Sequence, residues 1–573
     1  MSWIFGIVGT YSDTDLENFR SIHDEPLYSI RDEGKCIVAG GLKDTCLYYE
    51  DKQNDAGWLV CGLGISKNYT LLSSDNWKEF ILKHNSPNLN NKQPDGHYIC
   101  VNWNNNKIQC FNDMFGLRDF YITNWKKCLI FSTNLKWIAQ FRGDCNLDLY
   151  QFGSNWLLFN QLSNKSVLSG IDRLGPNGVL TISNNTYSIA NNFWSPVPGG
   201  QEDFSSILKE YILLPLNSSY KLSVGLSGGL DSRSLLSILL SSKHKDIYLH
   251  SFGNPQHPDV KIASQIASQF NLDHKIIYEP LPPVDSCLKL LKTFIATSAI
   301  HLPASEVMGL RYYLPLKAEN KLVIDGGFGE IARRQYLNRL LLKGKEAIVH
   351  GDYKTIISYL ALNRGTIFNE DALKNMREGI LLQMQNIFSK MPKLEETGVE
   401  NWLDIFSINT RLPNFFGFSQ TCVDNLIMNY MPFAQPRLLN ALFQVKVKDR
   451  KNGRLLKQII KINSSKLTKF NLVKFNTTYP FGFSTVSSNA LVKIKNRSGY
   501  AYQDNEKIKF LLHLSEFIND TVTSKNVKEY SLYDYIYITK TINDFYKGDL
   551  SVKSIVDWWL SFEIFRQNSC IKS

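Results

Sequence analysis

The sequence predicts a mixed α/β fold, in which a mainly β N-terminal domain precedes a parallel sheet with helices on both faces and a helical C-terminal extension. Three observations carry this prediction. Residues 1–198 alternate apolar and polar positions in short runs that end at Asn and Gly turns. Isolated apolar strands then alternate with helical periods, and from about Tyr336 onward the pattern is mostly helical.

The β pattern of the N-terminal part is clearest in residues 96–103 and 128–132. A Pro and Gly stretch at residues 196–200 follows, and the helical periods begin beyond it. We therefore expect a first domain at residues 1–198 and a second at residues 199–573. With 573 residues and 43% hydrophobic content, the chain is long enough for a core in each.

The cysteine pattern and the hydropathy favour a cytoplasmic protein. The ten cysteines include no C-x-x-C pair, so neither a zinc site nor a disulfide framework is predicted. No apolar run reaches the length needed to span a membrane, and the first residues lack the basic region of a signal peptide. We expect no membrane partner.

The net charge of +11 is concentrated in one stretch. By itself, such a charge is compatible with a nucleic acid, with an acidic substrate or with a lysine-rich proteome. Between residues 445 and 475 the only acid is Asp449, and the basic residues are Lys446, Lys448, Arg450, Lys451, Arg454, Lys457, Lys461, Lys466, Lys469 and Lys474.

A candidate phosphate-binding loop lies between a predicted strand at residues 221–226 and a predicted helix at residues 233–242. Its sequence is Ser227-Gly228-Gly229-Leu230-Asp231-Ser232. Glycines let backbone N–H groups approach phosphate oxygens, serines add hydroxyl donors, and the helix N-terminus adds its dipole. Asp231 would hold the Mg²⁺ of a nucleotide. A capped glycine turn is the structural alternative, but all six residues in strand–turn–helix context favour phosphate binding.

This phosphate loop (residues 227–232) has no Walker lysine, so transfer of the γ-phosphate is not expected. The loop resembles the PP-loop signature S-G-G-x-D-S of ATP pyrophosphatases, which cleave ATP between its α and β phosphates and adenylate a substrate. The resemblance implies ATP and Mg²⁺ as cofactors, and a Rossmann-like parallel sheet around the loop.

Five further segments resemble the N-terminal domain of the asparagine synthetase family in order and spacing. They are residues 94–98, 112–118, 129–134, 170–178 and 193–196. This resemblance implies that the N-terminal domain is an Ntn-hydrolase-like αββα sandwich, the fold of the family's glutaminase.

The resemblance also implies a set of site residues. Leu226, Gly253, Asp325 and Gly326 would join Ser227, Gly228, Gly229, Asp231 and Ser232 in binding ATP. Residues 325–330 stand where the family carries a second loop with metal and pyrophosphate contacts, so Glu330 would be a catalytic residue and share the metal with Asp231. A plain connection between strand and helix is the alternative for this second loop. Lys474 is the candidate lysine for the activated intermediate, with Lys469 as second choice.

The sequence departs from the family at two places. Alignment of the shared Gly-Ile-Val-Gly puts Phe5 where glutamine-dependent members have their N-terminal cysteine, so we expect no glutamine hydrolysis. Ser2, as an alternative N-terminal nucleophile, is out of register by three residues. Residues 428–433 lack the family's Glu and Arg of "E-x-R-x-PF", which argues against aspartate as the substrate.

The sequence thus predicts an ATP-dependent carbon–nitrogen ligase that forms an amide through an acyl-adenylate and releases AMP and pyrophosphate. Loss of the glutaminase with retention of the ATP site is similar to β-lactam synthetases and lasso-peptide cyclases. The acceptor would be a peptide or a specialised small acid, and the nitrogen donor an amine or ammonia, free or delivered by a partner protein.

Several alternatives stay open. Within the same chemistry, they are ammonia-dependent asparagine synthesis and amidation of uronic acids in a glycan. A tRNA-modifying PP-loop enzyme is a different class, which the missing C-x-x-C pair disfavours, and we do not expect a nucleic-acid partner. A pseudoenzyme that only binds ligands is a third class, which the intact residues 227–232 disfavour.

Overall fold

The N-terminal part of the protein consists of antiparallel strands with helices outside them. The structure is a computed structural model that describes residues 2–32, 34–83, 93–105, 107–159, 161–200, 202–217, 220–242, 247–334, 336–569 and 571. The strands are β1 (Trp3–Gly9), β2 (Tyr28–Asp32), β3 (Lys35–Gly40), β4 (Cys46–Asp51), β5 (Ala56–Ile65), β6 (Asp95–Asn104), β7 (Lys107–Asn112), β8 (Tyr121–Trp125), β9 (Cys128–Ser132), β10 (Asp172–Arg173), β11 (Val179–Ser183) and β12 (Thr186–Ala190). The helices are α1 (Asp13–Ile22), α2 (Ser74–Lys83), α3 (Leu135–Arg142) and α4 (Leu149–Leu157).

These strands form two six-stranded antiparallel sheets, with the orders β10-β8-β9-β1-β3-β2 and β12-β11-β7-β6-β5-β4. The facing sides share one buried apolar cluster that includes Ile4, Ile37, Leu59 and Ile99. Helices α1 and α3 pack together outside the first sheet, and α2 covers the second through Trp77. The predicted αββα layering is confirmed.

The second part is built on a five-stranded parallel sheet. Its order is β15-β14-β13-β16-β17, so β14 and β16 lie on opposite sides of β13. The carboxyl ends of strands at such a switch point form a crevice in which α/β proteins bind ligands. The strands are β13 (Lys221–Gly225), β14 (Tyr248–Phe252), β15 (Asp273–Ile277), β16 (Lys321–Ile324) and β17 (Asn429–Tyr430), and the helices are α5 (Phe204–Leu213), α6 (Leu230–Ser241), α7 (Pro258–Phe270), α8 (Val284–Ser298), α9 (Val307–Leu310) and α10 (Tyr313–Ala318).

The remainder is mostly helical, as predicted. Helical periods did not indicate the short strand β17 or the hairpin of β18 (Leu472–Lys474) and β19 (Thr477–Tyr479). The helices are α11 (Asn338–Lys343), α12 (Lys345–His350), α13 (Tyr353–Leu360), α14 (Glu370–Lys390), α15 (Leu394–Arg411), α16 (Gly417–Asp424), α17 (Pro436–Gln444), α18 (Val447–Arg450), α19 (Arg454–Asn463), α20 (Thr485–Arg497), α21 (Glu506–His513), α22 (Ser515–Thr523), α23 (Lys525–Lys528), α24 (Tyr535–Tyr546) and α25 (Lys553–Asn568).

A buried ionic network joins the sandwich to the end of α16. Asp424 accepts a bond from Arg118 Nη1 at 2.8 Å, and its other oxygen lies 3.0 Å from His97 Nε2. Arg118 also donates to the Ser2 carbonyl at 2.7 Å. The predicted boundary after residue 198 lies between β12 and α5 and stays a prediction. Within the described ranges, no helix is long and apolar enough to cross a membrane.

Removal of the Asp424 carboxylate should destabilise the protein strongly, because it leaves the buried Arg118 charge unpaired. We expect Asp424→Ala to lower the free energy of unfolding by about 3–5 kcal/mol, measured by urea denaturation near neutral pH. Asp449→Ala, which removes an exposed carboxylate, is the control and should change it little.

The same network sets a pH dependence. Burial raises the pKa of Asp424, but the charges of His97 and Arg118 outweigh burial and hold the pKa below its ordinary value. The stabilisation is therefore present above the unfolded-state pKa and disappears as the pH falls through the folded-state pKa. The wild type and Asp424→Ala should converge in acid, and a constant difference at every pH would contradict this role.

Candidate nucleotide site

The phosphate loop connects β13 to α6, and its own side chains bind its backbone amides. Ser227 N–H donates to Ser232 Oγ at 3.2 Å, and Gly229 N–H donates to Ser227 Oγ at 3.2 Å. Gly228 N–H donates to Asp259 Oδ1 at 2.7 Å. The backbone amides of Ser227, Gly228 and Gly229 are therefore all paired with side-chain oxygens.

A cavity of about 460 Å³ opens beside this loop at the carboxyl ends of β13, β14 and β16. We call it the nucleotide cavity. Of the nine residues predicted to bind ATP, all except Gly228 line it, namely Leu226, Ser227, Gly229, Asp231, Ser232, Gly253, Asp325 and Gly326. Gly228 packs instead against Val473 of β18, and its carbonyl accepts Val473 N–H at 3.1 Å.

The second loop packs directly on Asp231. A Cβ atom on Gly326 would come within 2.8 Å of Asp231 Cβ, and one on Gly329 within 2.6 Å of Asp231 Cγ. Asp325 folds back to accept Gly327 N–H at 2.6 Å. Burial raises the pKa of Asp325 above its ordinary value. Glycines are thus required wherever this loop faces the phosphate loop.

Arg333, which the sequence did not single out, lies between the two predicted metal ligands. Its Nη2 is 2.8 Å from Asp231 Oδ2 and 3.6 Å from Glu330 Oε1. Tyr336 OH donates to Glu330 Oε2 at 3.1 Å. Burial raises the pKa of Asp231 to about 7, and Glu330 adds to the increase, while Arg333 opposes it. This guanidinium reduces the repulsion between the two carboxylates.

Asp231 has one carboxylate oxygen that could serve as a metal ligand, although its metal role stays a prediction. Its Oδ1 is buried without a hydrogen-bond partner, and Mg²⁺ is commonly bound through one or two carboxylates together with nucleotide phosphates. In the part of the chain that the structure describes, no group of three or more His, Cys, Asp or Glu side chains is arranged around a metal position. Glu330 lies on the far side of Arg333, so its metal role stays a prediction.

Lys474 lies outside the nucleotide cavity. Its Nζ donates to Asn489 Oδ1 at 2.7 Å, and burial together with the charge of Arg333 lowers its pKa. The side chain lines a small cleft with Arg333, Lys457 and Tyr479. Leu230 of the phosphate loop also lines this basic cleft. The second-choice lysine, Lys469, is exposed. The catalytic role of Lys474 stays a prediction.

His250 is a buried histidine of the cavity wall that the sequence did not indicate. Its side chain is 2% exposed and its Nδ1 lies 2.7 Å from Ser223 Oγ. Burial lowers the pKa of His250 to about 3, so the ring is neutral. The other ring nitrogen lies beside Gly225, where the cavity meets β13. A neutral imidazole suits a polar but uncharged group such as a nucleobase.

Residues 500–506, here called the strap, form a further part of the wall of the nucleotide cavity. Three of their side chains line it: Tyr502, Asp504 and Glu506. The Tyr502 ring contacts His257 at 5.1 Å between centroids, and Tyr278 OH donates to Glu506 Oε1 at 3.2 Å. These residues follow β13 by more than two hundred positions and belong to no motif, so local patterns could not identify them.

Charge is distributed unevenly around the phosphate loop. Five carboxylates line the nucleotide cavity, and among the described lining residues there is no Lys or Arg. Three cations, Arg333, Lys457 and Lys474, line the basic cleft. The strap carboxylates would repel phosphates and accept hydrogen bonds from ribose hydroxyls. A nucleotide is therefore expected to lie with its phosphates at the loop and its sugar toward the strap.

The fold and the cavity define an α/β protein with a candidate nucleotide site at the carboxyl edge of its parallel sheet. Residues 205–298 match the family model of asparagine synthase. The matched range contains the phosphate loop, His250, Gly253 and Asp259, and it supports the family resemblance of the sequence. No curated protein matches the chain significantly.

Solved structures show only distant similarity. Glutamine phosphoribosylpyrophosphate amidotransferase from B. subtilis, complexed with ADP and GMP, is 10% identical with a TM-score of 0.23, over 48% of this chain and 65% of that one. A tRNA thiolase, NcsA from Methanococcus maripaludis, is 13% identical with a TM-score of 0.16, over 36% and 76% of the two chains. Similarity at this level carries no argument about function.

Substitution of Gly329 by Ala should disrupt the site, because the new Cβ meets Asp231 Cγ. We expect the affinity for ATP with Mg²⁺ to fall at least about tenfold, or ~1.4 kcal/mol, as measured by titration calorimetry. Gly309→Ala is the matched control, since a Cβ there meets nothing within 4 Å. Equal affinities for both variants would show that the second loop does not position Asp231.

Substitution of Asp504 by Ala should remove a contact to ribose. We expect the wild type to bind ATP about tenfold more tightly than 2′,3′-dideoxy-ATP, because hydrogen bonds to a charged acceptor are strong. In Asp504→Ala this preference should disappear. Gln503→Ala, at an exposed strap residue outside the cavity lining, should keep it. Identical preferences in the wild type and both variants would refute a strap–ribose contact.

Proposed function

We propose that the protein is an ATP-dependent carbon–nitrogen ligase that activates a carboxylate by adenylation. The observation that carries the proposal is the convergence of eight predicted ATP-binding residues on one cavity at the switch point of the parallel sheet. The asparagine synthase match over residues 205–298 supports the same chemistry. ATP and Mg²⁺ are the cofactors in this proposal.

In the first step, a carboxylate oxygen attacks the α-phosphorus of ATP. A new P–O bond forms, the bond between the α- and β-phosphates breaks, and pyrophosphate leaves. The backbone amides and hydroxyls of the phosphate loop hold the reacting phosphates. The basic cleft with Arg333, Lys457 and Lys474 is the cationic region beside the loop, and it stabilises the departing charge.

In the second step, an amine attacks the acyl carbon of the acyl-adenylate, and AMP leaves with the electrons of the broken C–O bond. A Mg²⁺ ion held by Asp231 would neutralise phosphate charge. Arg333 holds the Asp231 carboxylate beside the loop until the nucleotide binds, and it also contacts Glu330. Deprotonation of the amine requires a base, and Glu330 is the candidate.

The nitrogen does not come from glutamine hydrolysed by this chain. Phe5 stands at the position of the family's nucleophile, buried and stacked on Phe19 at 4.2 Å between centroids. Ser2 is fully buried, and its Oγ donates to the Leu42 carbonyl at 3.2 Å. Neither side chain is placed as a free nucleophile. The donor is an amine on the substrate, or ammonia that is free or delivered by a partner protein.

The acceptor in this proposal is a peptide or a specialised small acid. Residues 428–433, where the family's Glu and Arg are missing, include β17 and are almost entirely buried. This segment therefore contributes packing to the sheet rather than charged contacts to an aspartate. A cytoplasmic location is part of the proposal. Free, buried thiols are found at Cys36, Cys46, Cys61, Cys100, Cys110, Cys128, Cys287 and Cys422, which fits a reducing compartment.

ATP–pyrophosphate exchange with pooled candidate acids tests the proposal without knowledge of the amine. Exchange should depend on one class of acid and fall at least about a hundredfold in Asp231→Ala, because a charged group of the site is removed. Asp371→Ala, at an exposed carboxylate of α14, is the control and should exchange normally. Undiminished exchange in Asp231→Ala, or no ATP binding by the wild type, would contradict the proposal.

A further inference from the structure

The positive charge of the protein comes from one region beside the candidate site. Residues 446–503 contain thirteen Lys and Arg residues and one acid, Asp449, a net charge of +12 in a chain whose total is +11. Among the described residues, two of these cations form ion pairs: Arg450 pairs with buried Asp404 at 3.0 Å, and Lys451 pairs with Glu400. Most of the others are exposed, and the proposed adenylation step uses only Lys457 and Lys474 among them.

A groove of about 560 Å³ lies between the β18–β19 hairpin and α20 in this region. Lys474, Lys493 and Arg497 line it, together with Asn489 and Asn496. No acid is among its described lining residues. The groove therefore offers cations and amide groups to a ligand that carries carboxylates.

Phe475, at the tip of the hairpin, combines exposure with an unfavourable backbone conformation. Its φ is +47°, followed by +56° at Asn476. Asn or Gly adopts such angles readily, whereas an aromatic residue does so at an energetic cost. The Phe475 side chain is 72% exposed, so burial within the chain does not offset this cost. A ligand that is bound in the groove and covers the Phe475 ring would offset this cost.

Further apolar side chains are exposed next to the cations. Val486 and Ile494 of α20 are 78% and 63% exposed, and Tyr500 is 79% exposed. Aliphatic side chains match apolar residues of a peptide. A sugar–phosphate backbone or a uronic-acid chain has no comparable groups. The rings of Phe475 and Tyr500 suit an apolar side chain and a stacked base alike, so the aliphatic pair Val486 and Ile494 favours a peptide. The groove and the exposed apolar side chains beside it therefore fit a peptide that contains both acidic and apolar residues.

The hairpin is bonded to both sides of the nucleotide cavity. Val473 N–H donates to the Gly228 carbonyl at 3.1 Å. Asn476 Oδ1 lies 3.2 Å from His257 Nε2, and Asn476 Nδ2 donates to the Tyr502 carbonyl at 3.2 Å. A peptide in the groove would thus lie next to the phosphate loop and the strap.

We propose that this groove binds an acidic, apolar-containing segment of a peptide substrate and thereby delivers the peptide to the adenylation site. Lys493 and Arg497 pair with its carboxylates, and Phe475 covers its apolar side chains. The inference rests on the proposed function, because it names the substrate class of the same site. Peptide binding is measured without ATP, so its failure is distinguishable from a failure of adenylation.

The test uses the full chain and a fluorescein-labelled peptide of alternating Glu and Leu, followed by anisotropy. The Kd should rise at least about tenfold in Lys493→Glu/Arg497→Glu, because two attractive charges become repulsive. Lys448→Glu/Lys466→Glu reverses two exposed charges outside the groove lining and should change the Kd less than about threefold. ATP binding should be equal in both double variants, which controls for folding.

Phe475→Asn tests the apolar contact separately, and Asn suits the backbone of the turn. It should weaken binding of the Glu–Leu peptide and leave a Glu–Ser peptide unaffected. A peptide of alternating Gln and Leu should not bind. Equal losses in both double variants would overturn the proposal. So would tighter groove-dependent binding of a single-stranded oligonucleotide, an oligogalacturonate or an anionic lipid vesicle than of the Glu–Leu peptide.

Discussion

Asp231 lies in a space that exists only because two glycines face it without side chains. Gly326 and Gly329 bring the second loop so close that any Cβ would meet the Asp231 side chain. This contact joins the end of β16 to the start of α6, and it places Asp325, Asp231 and Arg333 around one point. The switch from β14 to β16 on either side of β13 creates the crevice. The contact of Gly326 and Gly329 with Asp231 determines which side chains face this crevice.

The distribution of charge follows from the same arrangement. Arg333 contacts Asp231 but lines the basic cleft rather than the nucleotide cavity. The described lining of the cavity therefore contains carboxylates and no Lys or Arg. Carboxylates repel phosphate groups, so the ATP binding that we propose would need a cation such as Mg²⁺ in this cavity. Leu230 of the phosphate loop lines the basic cleft, next to the acidic cavity.

Short-range pattern was sufficient for the fold class, for the strand–turn–helix arrangement around residues 227–232 and for most strands. Strand β9 has the predicted bounds, and α6 begins at Leu230 rather than Arg233, because the loop residues already form its first turn. Local sequence patterns did not indicate very short elements or contacts between residues that are far apart in the sequence. Strand β17 has two residues, too few to show a period. The pair of Arg118 with Asp424 joins positions 306 apart, which no local signal reveals.

The site residues likewise divide into those that local motifs indicated and those that they did not. Eight of the nine predicted ATP-binding residues lie in consecutive motifs at strand ends, and sequence order alone brings these to one edge of the sheet. Arg333 and His250 were missed because an arginine after a loop and a histidine in a strand are common. The strap was missed because it reaches the cavity only through tertiary packing against His257 and Tyr278.

The N-terminal domain has a structural role that does not require a nucleophile. Phe5 and Trp3 belong to one buried cluster with Trp559 and Phe562 of α25. Phe115 shares another cluster with Leu226 and Leu230 of the candidate site. Removal of the sandwich would therefore expose apolar surface on the part of the chain that contains the parallel sheet. The Phe5 ring itself packs within the sandwich, stacked on Phe19 and against Trp137, so it contributes buried apolar area to this cluster.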